Sequence, residues 1–159
     1  MDRGTPRKVT DQAERLWRAL LRAGLTVGGE LRPVLAQWQV TGPQWDVLRV
    51  LAGAPGEGMM LSEIGEAMAV TCGNITGLMD RLEEAGWVQR RPHPQDRRVT
   101  LASLTEAGQE LIREAMPAYR ARLQELFSGL TPAQQARLTG ALEHLAEHVS
   151  EKREAVGGE

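Results

Sequence analysis

A chain of 159 residues is long enough to bury a core of its own, as one domain with room for helical extensions. Hydrophobic residues make up 42% and charged residues 25%, and no apolar run approaches the roughly 20 residues of a bilayer span, which excludes a membrane protein. A net charge of −2 excludes a globally basic nucleic-acid binder, so any such contact must come from a local patch.

The N-terminal stretch has no apolar signal segment and Cys72 is the one cysteine, so a cytoplasmic protein without an intrachain disulfide is expected. Histidines stand only at 93, 144 and 148. With so few candidate groups, no nucleophile and base, metal cluster or cofactor loop can be assembled, and the expectation is a protein that is not an enzyme and carries no cofactor.

In chain order, residues 1–9 read as a flexible arm. From Thr10, Leu16, Trp17, Leu20, Leu21, Val27, Leu31, Leu35 and Trp38 recur at helical spacing, while Gly24, Gly28, Gly29 and Pro33 predict a bend or break between 24 and 33. Thr41-Gly42-Pro43-Gln44 has the form of a capping box and opens a helix carrying Trp45, Leu48 and Leu51 inward. The glycine-rich loop 53–58 that ends it lacks the Gly-Lys-Ser/Thr of a phosphate cradle.

Met59 and Met60 add a short strand, and Ser62 is the expected N-cap of a helix carrying Leu61, Ile64 and Met68. A second helix begins at Thr71 with Ile75, Leu78, Met79 and Leu82 in one buried stripe. Its other face starts with Cys72, Gly73, Asn74, Thr76 and Gly77. Glycines on an outer helix face are poorly explained by helix propensity and better explained by close approach to another surface. Asn74 can pair bidentately with an adenine edge, Thr76 can touch a thymine methyl or a phosphate, and Arg81 suits a phosphate or a guanine.

Gly86 ends this helix, and a β-hairpin follows: a strand from Trp87 to Arg90, a turn over 92–97, and a return strand from Val99 to Leu104. The hairpin carries Arg90, Arg91, Arg97 and Arg98 against Asp96 alone, a local positive patch in a net negative chain. Helix, turn, helix and basic hairpin make a winged helix-turn-helix. The fold class is therefore mainly α with a small β-hairpin wing, flanked by N- and C-terminal dimerisation helices. Thr105 caps a long helix with a kink expected at Pro117, and Thr131 to Gln134 repeats the capping box before a last helix with Leu138, Ala141, Leu142, Leu145 and Val149. These helices have more apolar face than a small winged unit can cover, which points to a homodimer. The domain reading is a flexible arm over 1–9 and a single unit over 10–150. Within that unit, 10–40 and 105–150 are dimerisation helices and 41–104 is the DNA-binding region. A flexible tail follows over 151–159.

Leu61, Ile64, Met68 and Val70, then Asn74-Ile75-Thr76, Asp80-Arg81-Leu82-Glu83, Asp96-Arg97-Arg98 and Leu104-Thr105-Glu106-Ala107-Gly108 resemble the MarR family of transcriptional regulators across positions 61–108. The resemblance implies a homodimer on a palindromic operator, usually a repressor, released by a small ligand or an oxidant. It also implies that Asn74, Thr76 and Arg81 lie at the major groove and that Arg97 or Arg98 reaches the minor groove. Gly77 stands where the family often has arginine or another polar residue.

The DNA-contacting set is thus Thr71, Gly73, Asn74, Thr76, Gly77, Arg81, Arg97 and Arg98, with Arg90 and Asp96 supporting the wing. The partners are double-stranded DNA, a second copy and a small-molecule effector, with no membrane. A pocket lined by Trp17, Trp38 or Trp45 could hold an aromatic or phenolic effector, as in many relatives. Alternatives are a winged helix used for protein interaction and a redox response through Cys72. His144 and His148 stand at i, i+4 without a third ligand, so no metal site is assigned.

Overall fold

The computed structural model describes residues 11–54, 58–68, 72–96 and 98–157, with the side chains of residues 11, 72–74 and 153–157 outside that description. The elements are α1 (Asp11–Ala36), α2 (Gly42–Ala52), β1 (Met59–Met60), α3 (Leu61–Ala67), α4 (Cys72–Glu84), β2 (Val88–Pro92), β3 (Thr100–Leu104), α5 (Glu106–Phe127) and α6 (Pro132–Gly157). The three strands form an antiparallel sheet in the order β1-β3-β2. Among the described residues no helix is long and apolar enough to cross a membrane. The chain forms two compact units, residues 1–122 and 123–159.

The core lies in the first unit and is built from the predicted stripes. Trp45, Val47 and Leu48 of α2, Ile64 of α3, Ile75, Met79 and Leu82 of α4, Val88 of β2 and Ala102 of β3 are fully buried. The caps explain where the helices begin. In α2, Gln44 N donates to Thr41 Oγ1 and Thr41 N donates to the Gln44 side chain; Thr131 and Gln134 repeat this at α6. Gly86 ends α4 at φ 75, with its N–H on Glu83 O and that of Trp87 on Leu82 O, a Schellman closure.

Three expectations are corrected. First, the break does not occur, since α1 is one helix from Asp11 to Ala36 despite its three glycines and Pro33. Its C-terminal half is held by tertiary contacts, with Leu31 and Leu35 buried and Glu30 paired with Arg122 of α5. A glycine penalty of about 1 kcal/mol each does not break a helix that packing supports. Second, α3 starts at Leu61 with Met60 as N-cap, because the Glu63 carboxylate accepts from Met60 N at 2.8 Å and displaces Ser62 from that role. Third, helical backbone continues to Gly157 beyond the apolar stripe, through residues such as Glu, Lys and Ala that favour helix without packing. The arm over 1–9 and the cap at Thr10 lie outside the described residues. Pro117 sits within α5 without ending it.

Two glycines of the first unit respond oppositely to a methyl group. A Cβ on Gly108 would lie 2.0 Å from Trp87 O, whereas one on Gly28 meets nothing within 4 Å. Gly108→Ala should therefore destabilise by at least about 2 kcal/mol. Gly28→Ala should stabilise by about 0.5–1 kcal/mol through helix propensity. Chemical denaturation of the two variants beside the wild type measures both signs.

Candidate nucleic-acid interface

Helix α4 buries Ile75, Leu78, Met79 and Leu82 and turns Thr76, Gly77, Asp80 and Arg81 outward. A Cβ on Gly77 would meet nothing within 4 Å, so nothing in the described chain demands a glycine there, and the missing side chain leaves backbone open to an approaching surface. Gly73 and Asn74 fall in the first turn of α4, where backbone N–H groups lack partners inside the helix. Thr71 and Arg97 lie outside the described residues.

The wing is the β2–β3 ladder, with Arg90 opposite Ala102, Arg91 opposite Leu101 and Pro92 opposite Thr100. Its tip closes by His93 N donating to Val99 O at 2.8 Å and Val99 N to Asp96 O at 2.9 Å. Asp96 accepts from Arg98 three times, from its backbone N at 3.0 Å and from Nε and Nη2 at 3.2 Å. These bonds, the side-chain ones foremost, hold the Asp96 carboxyl below the usual carboxylate range. The carboxylate thereby aims a guanidinium that remains 92% exposed.

Arg90 is spent differently. Its Nε donates to Glu83 Oε2 at 2.8 Å, its backbone N to Glu83 Oε1 at 3.1 Å, and Nη2 lies 2.7 Å from Asp80 Oδ1. The hydrogen bonds to Glu83 lead in raising the Arg90 pKa, and the same bonds lower that of Glu83. Arg90 therefore clasps β2 to α4 and is withdrawn from the basic surface. The charge count along the hairpin could not reveal this. The signal was Asp80 and Glu83 at i, i+3, which set both carboxylates on one side of α4.

A groove of about 620 Å³ lies between α1, α2 and Tyr119 of α5. Of the three tryptophans considered for an effector, Trp45 is in its wall; Trp38 is half-buried, and Trp17 is 60% exposed on α1, both outside the lining. The Trp45 and Tyr119 rings are 5.1 Å apart at 54°, and Arg49 Nη1 donates to Tyr119 Oη at 3.0 Å with its guanidinium 5.4 Å from the ring centre. Arg49 also lies 3.7 Å from Asp46, whose carboxyl is pushed up by desolvation against the opposing pull of Arg49. On α6, His144 and His148 are exposed, and among the described residues no group of His, Cys, Asp or Glu is arranged to hold a metal ion.

The clasp makes a prediction with a sign. Arg90→Ala should cost about 1 kcal/mol, because two carboxylates lose a common partner. Since the folded pKa of Glu83 lies below its ordinary 4.5, its contribution is full above pH 4.5 and fades as the pH falls through the lowered value. Urea unfolding of wild type and variant should show the gap at pH 7 and a shrinking gap below pH 4.5; a pH-independent gap contradicts the assignment.

Comparison with known proteins agrees with this geometry. The MarR family model matches residues 40–100. The HTH-type transcriptional regulator YkoM of Bacillus subtilis (strain 168) is 34% identical over 88 residues, which are 55% of this chain and 57% of that protein. The homoprotocatechuate degradative operon repressor of Escherichia coli is 26% identical over 141 residues, 89% of this chain and 94% of that one. A MarR family transcriptional regulator from Streptomyces coelicolor, solved in complex with DNA, superposes with a TM-score of 0.81 at 27% identity, covering 91% of this chain and 92% of its own. With a winged helix-turn-helix, a family-model match over residues 40–100 and structural likeness running along nine-tenths of its length, the chain is similar to the MarR family and is a transcriptional regulator of that type.

Proposed function

We propose that the protein is a homodimeric repressor whose two winged units read the halves of a palindromic operator and are released by a small ligand. One observation carries the DNA reading: the outward face of α4 bears Thr76, Gly77 and Arg81 with no bulky apolar residue, in the same unit as a wing whose Arg98 is exposed and aimed by Asp96. Thr71, Gly73 and Asn74 approach base edges and phosphates in the major groove, and Arg97 and Arg98 enter the adjoining minor groove. Arg90 and Asp96 hold the wing in position.

Exposed apolar side chains on two helices support the twofold. Leu16, Trp17, Leu21 and Leu25 are exposed on α1, and Leu138, Leu142, Leu145 and Val149 on α6. Such surface in a soluble protein marks an interface, and a twofold would set the two α4 helices about one DNA turn, roughly 34 Å, apart. The relative that represses a degradative operon supports the repressor sense, and the groove beside Trp45 supports an effector site.

On operator DNA, Arg98→Ala should lower affinity and flatten the plot of log K against log salt by about 0.9 for each phosphate that the protein no longer neutralises. Asn74→Ala should lose about 1–3 kcal/mol of discrimination between operator and random duplex while keeping nonspecific binding. Fluorescence anisotropy across a salt series reads both, and an Asn74 variant that still discriminates as well as wild type refutes the α4 assignment. Leu21→Glu with Leu145→Glu should shift the protein to monomer in sedimentation equilibrium; an unchanged dimer would move the interface elsewhere.

A further inference from the structure

At the tip of the wing the His93 side chain has a hydrogen bond that its surroundings make sensitive to a proton. The residue is half-buried between Pro92 and Pro94, just past the end of β2. Pro94 has no N–H, so Gln95 supplies the first backbone donor after it. That donor is satisfied by the histidine itself, since Gln95 N donates to His93 Nδ1 at 3.2 Å. An imidazole nitrogen that accepts a hydrogen bond carries no proton. In this arrangement His93 is therefore neutral, with its one N–H at Nε2. A proton arriving at Nδ1 and the N–H of Gln95 compete for a single lone pair, and only one can have it.

The charges around the tip set the balance between them. Asp96 is the one acid of the hairpin, and its carboxylate already accepts three hydrogen bonds from Arg98. Those bonds come first in holding the Asp96 carboxyl low, and charge on His93 contributes to a smaller degree, which puts the two groups within electrostatic reach. Against a further cation stand Arg91, two residues back on β2, and Arg97 and Arg98, which follow in sequence. Strand β3 brings no charged residue, and Asp80 and Glu83 of α4 are engaged by Arg90. DNA reverses these surroundings. Phosphates neutralise the arginines and add a negative field in which an imidazolium is favoured. The Gln95 N–H that the proton displaces then becomes available to a phosphate oxygen.

We propose that the wing carries a proton switch at His93: neutral and bonded to Gln95 in the free protein, the ring takes one proton from solvent at Nδ1 when the wing meets DNA, so that the protein holds DNA more tightly as the pH falls. The switch rests on reading the hairpin as a DNA-contacting wing. Its sign follows from linkage, because the bound form carries more protons than the free form. Affinity therefore rises as the pH falls through the range in which histidines titrate and is flat above it.

Phosphate contact does not depend on sequence, so a rhodamine-labelled random duplex of about 30 base pairs at about 50 mM salt is a sufficient probe for the purified full chain. Anisotropy titrations between about pH 5.5 and pH 8 should show affinity about tenfold higher at the acid end. The decisive variant is His93→Asn, whose Oδ1 can accept from Gln95 N in place of Nδ1 and cannot be protonated. It should match the wild type at the alkaline end and change by less than about twofold across the series, with His144 and His148 still present as internal controls. In NMR spectra of the histidine ring nitrogens, His93 should be the Nε2–H tautomer in the free protein at the alkaline end and carry protons on both nitrogens in the DNA complex at the acid end. A wild-type affinity that does not change with pH, a pH dependence that survives in His93→Asn, or a ring that stays singly protonated on DNA would each overturn the switch. Arg98→Ala at the alkaline end separates the two readings. Unchanged affinity for the duplex refutes the wing and the switch with it, whereas weakened binding beside a pH dependence retained in His93→Asn refutes the switch alone.

Discussion

The structure depends most on the junction where the end of α4, both wing strands and the start of α5 meet. Thr105 Oγ1 donates to Gly86 O at 2.6 Å and Thr105 N to Trp87 O at 3.0 Å, while the same hydroxyl accepts from Gly108 N at 3.1 Å. One threonine thus caps α5 and ties it to the turn that closes α4. The approach is so close that only glycine fits at 108, since any Cβ would overlap Trp87 O. Buried backbone groups at a helix end must find partners, and here the two helix ends supply them to each other. The direction in which the wing leaves the body follows from this knot.

Once the wing is anchored at its base, its side chains divide by position. Near the anchored end, Arg90 satisfies two acidic residues of α4 that would otherwise repel one another at i, i+3. At the far end Asp96 holds Arg98 by hydrogen bonds that leave the guanidinium in solvent. An exposed ion pair contributes little to stability, so the second contact is better understood as orientation than as reinforcement. The first is a structural clasp, because Arg90 has only a quarter of its side chain exposed and reaches two partners on another element. Two arginines of one hairpin therefore have different work, and the difference lies in which carboxylate the fold brings near.

Local chemistry made most of this legible in the sequence. Capping boxes at Thr41 and Thr131, the stripe of Ile75, Leu78, Met79 and Leu82, and Gly86 as a helix end are written in adjacent residues, and each appears where the pattern placed it. What needed three dimensions was less visible. The continuity of α1 through Gly24, Gly28, Gly29 and Pro33 depends on burial of Leu31 and Leu35 and on Arg122, 92 residues away from its partner Glu30. The withdrawal of Arg90 from the basic patch depends on the angle between β2 and α4. Propensity and charge counts report a residue's own tendencies, and tertiary partners override them. The same holds for the tryptophans, which are alike in sequence and separated only by what packs around them.

Trp45 joins the groove to the reading head. Its neighbours Val47 and Leu48 are fully buried, and α2 packs against α1, α3, α4 and β3. Interiors of this kind are close-packed and transmit strain instead of absorbing it, so a ligand that moves the Trp45 ring cannot do so without moving α2 against α3 and α4. Asp46 and Arg49 extend the same helix's reach, because together with Val50 they line a second groove beside Ala67 and Met68 at the end of α3. Asp46 thus lines both grooves. One short helix has a wall of the groove at one of its faces and the helix-turn-helix at another.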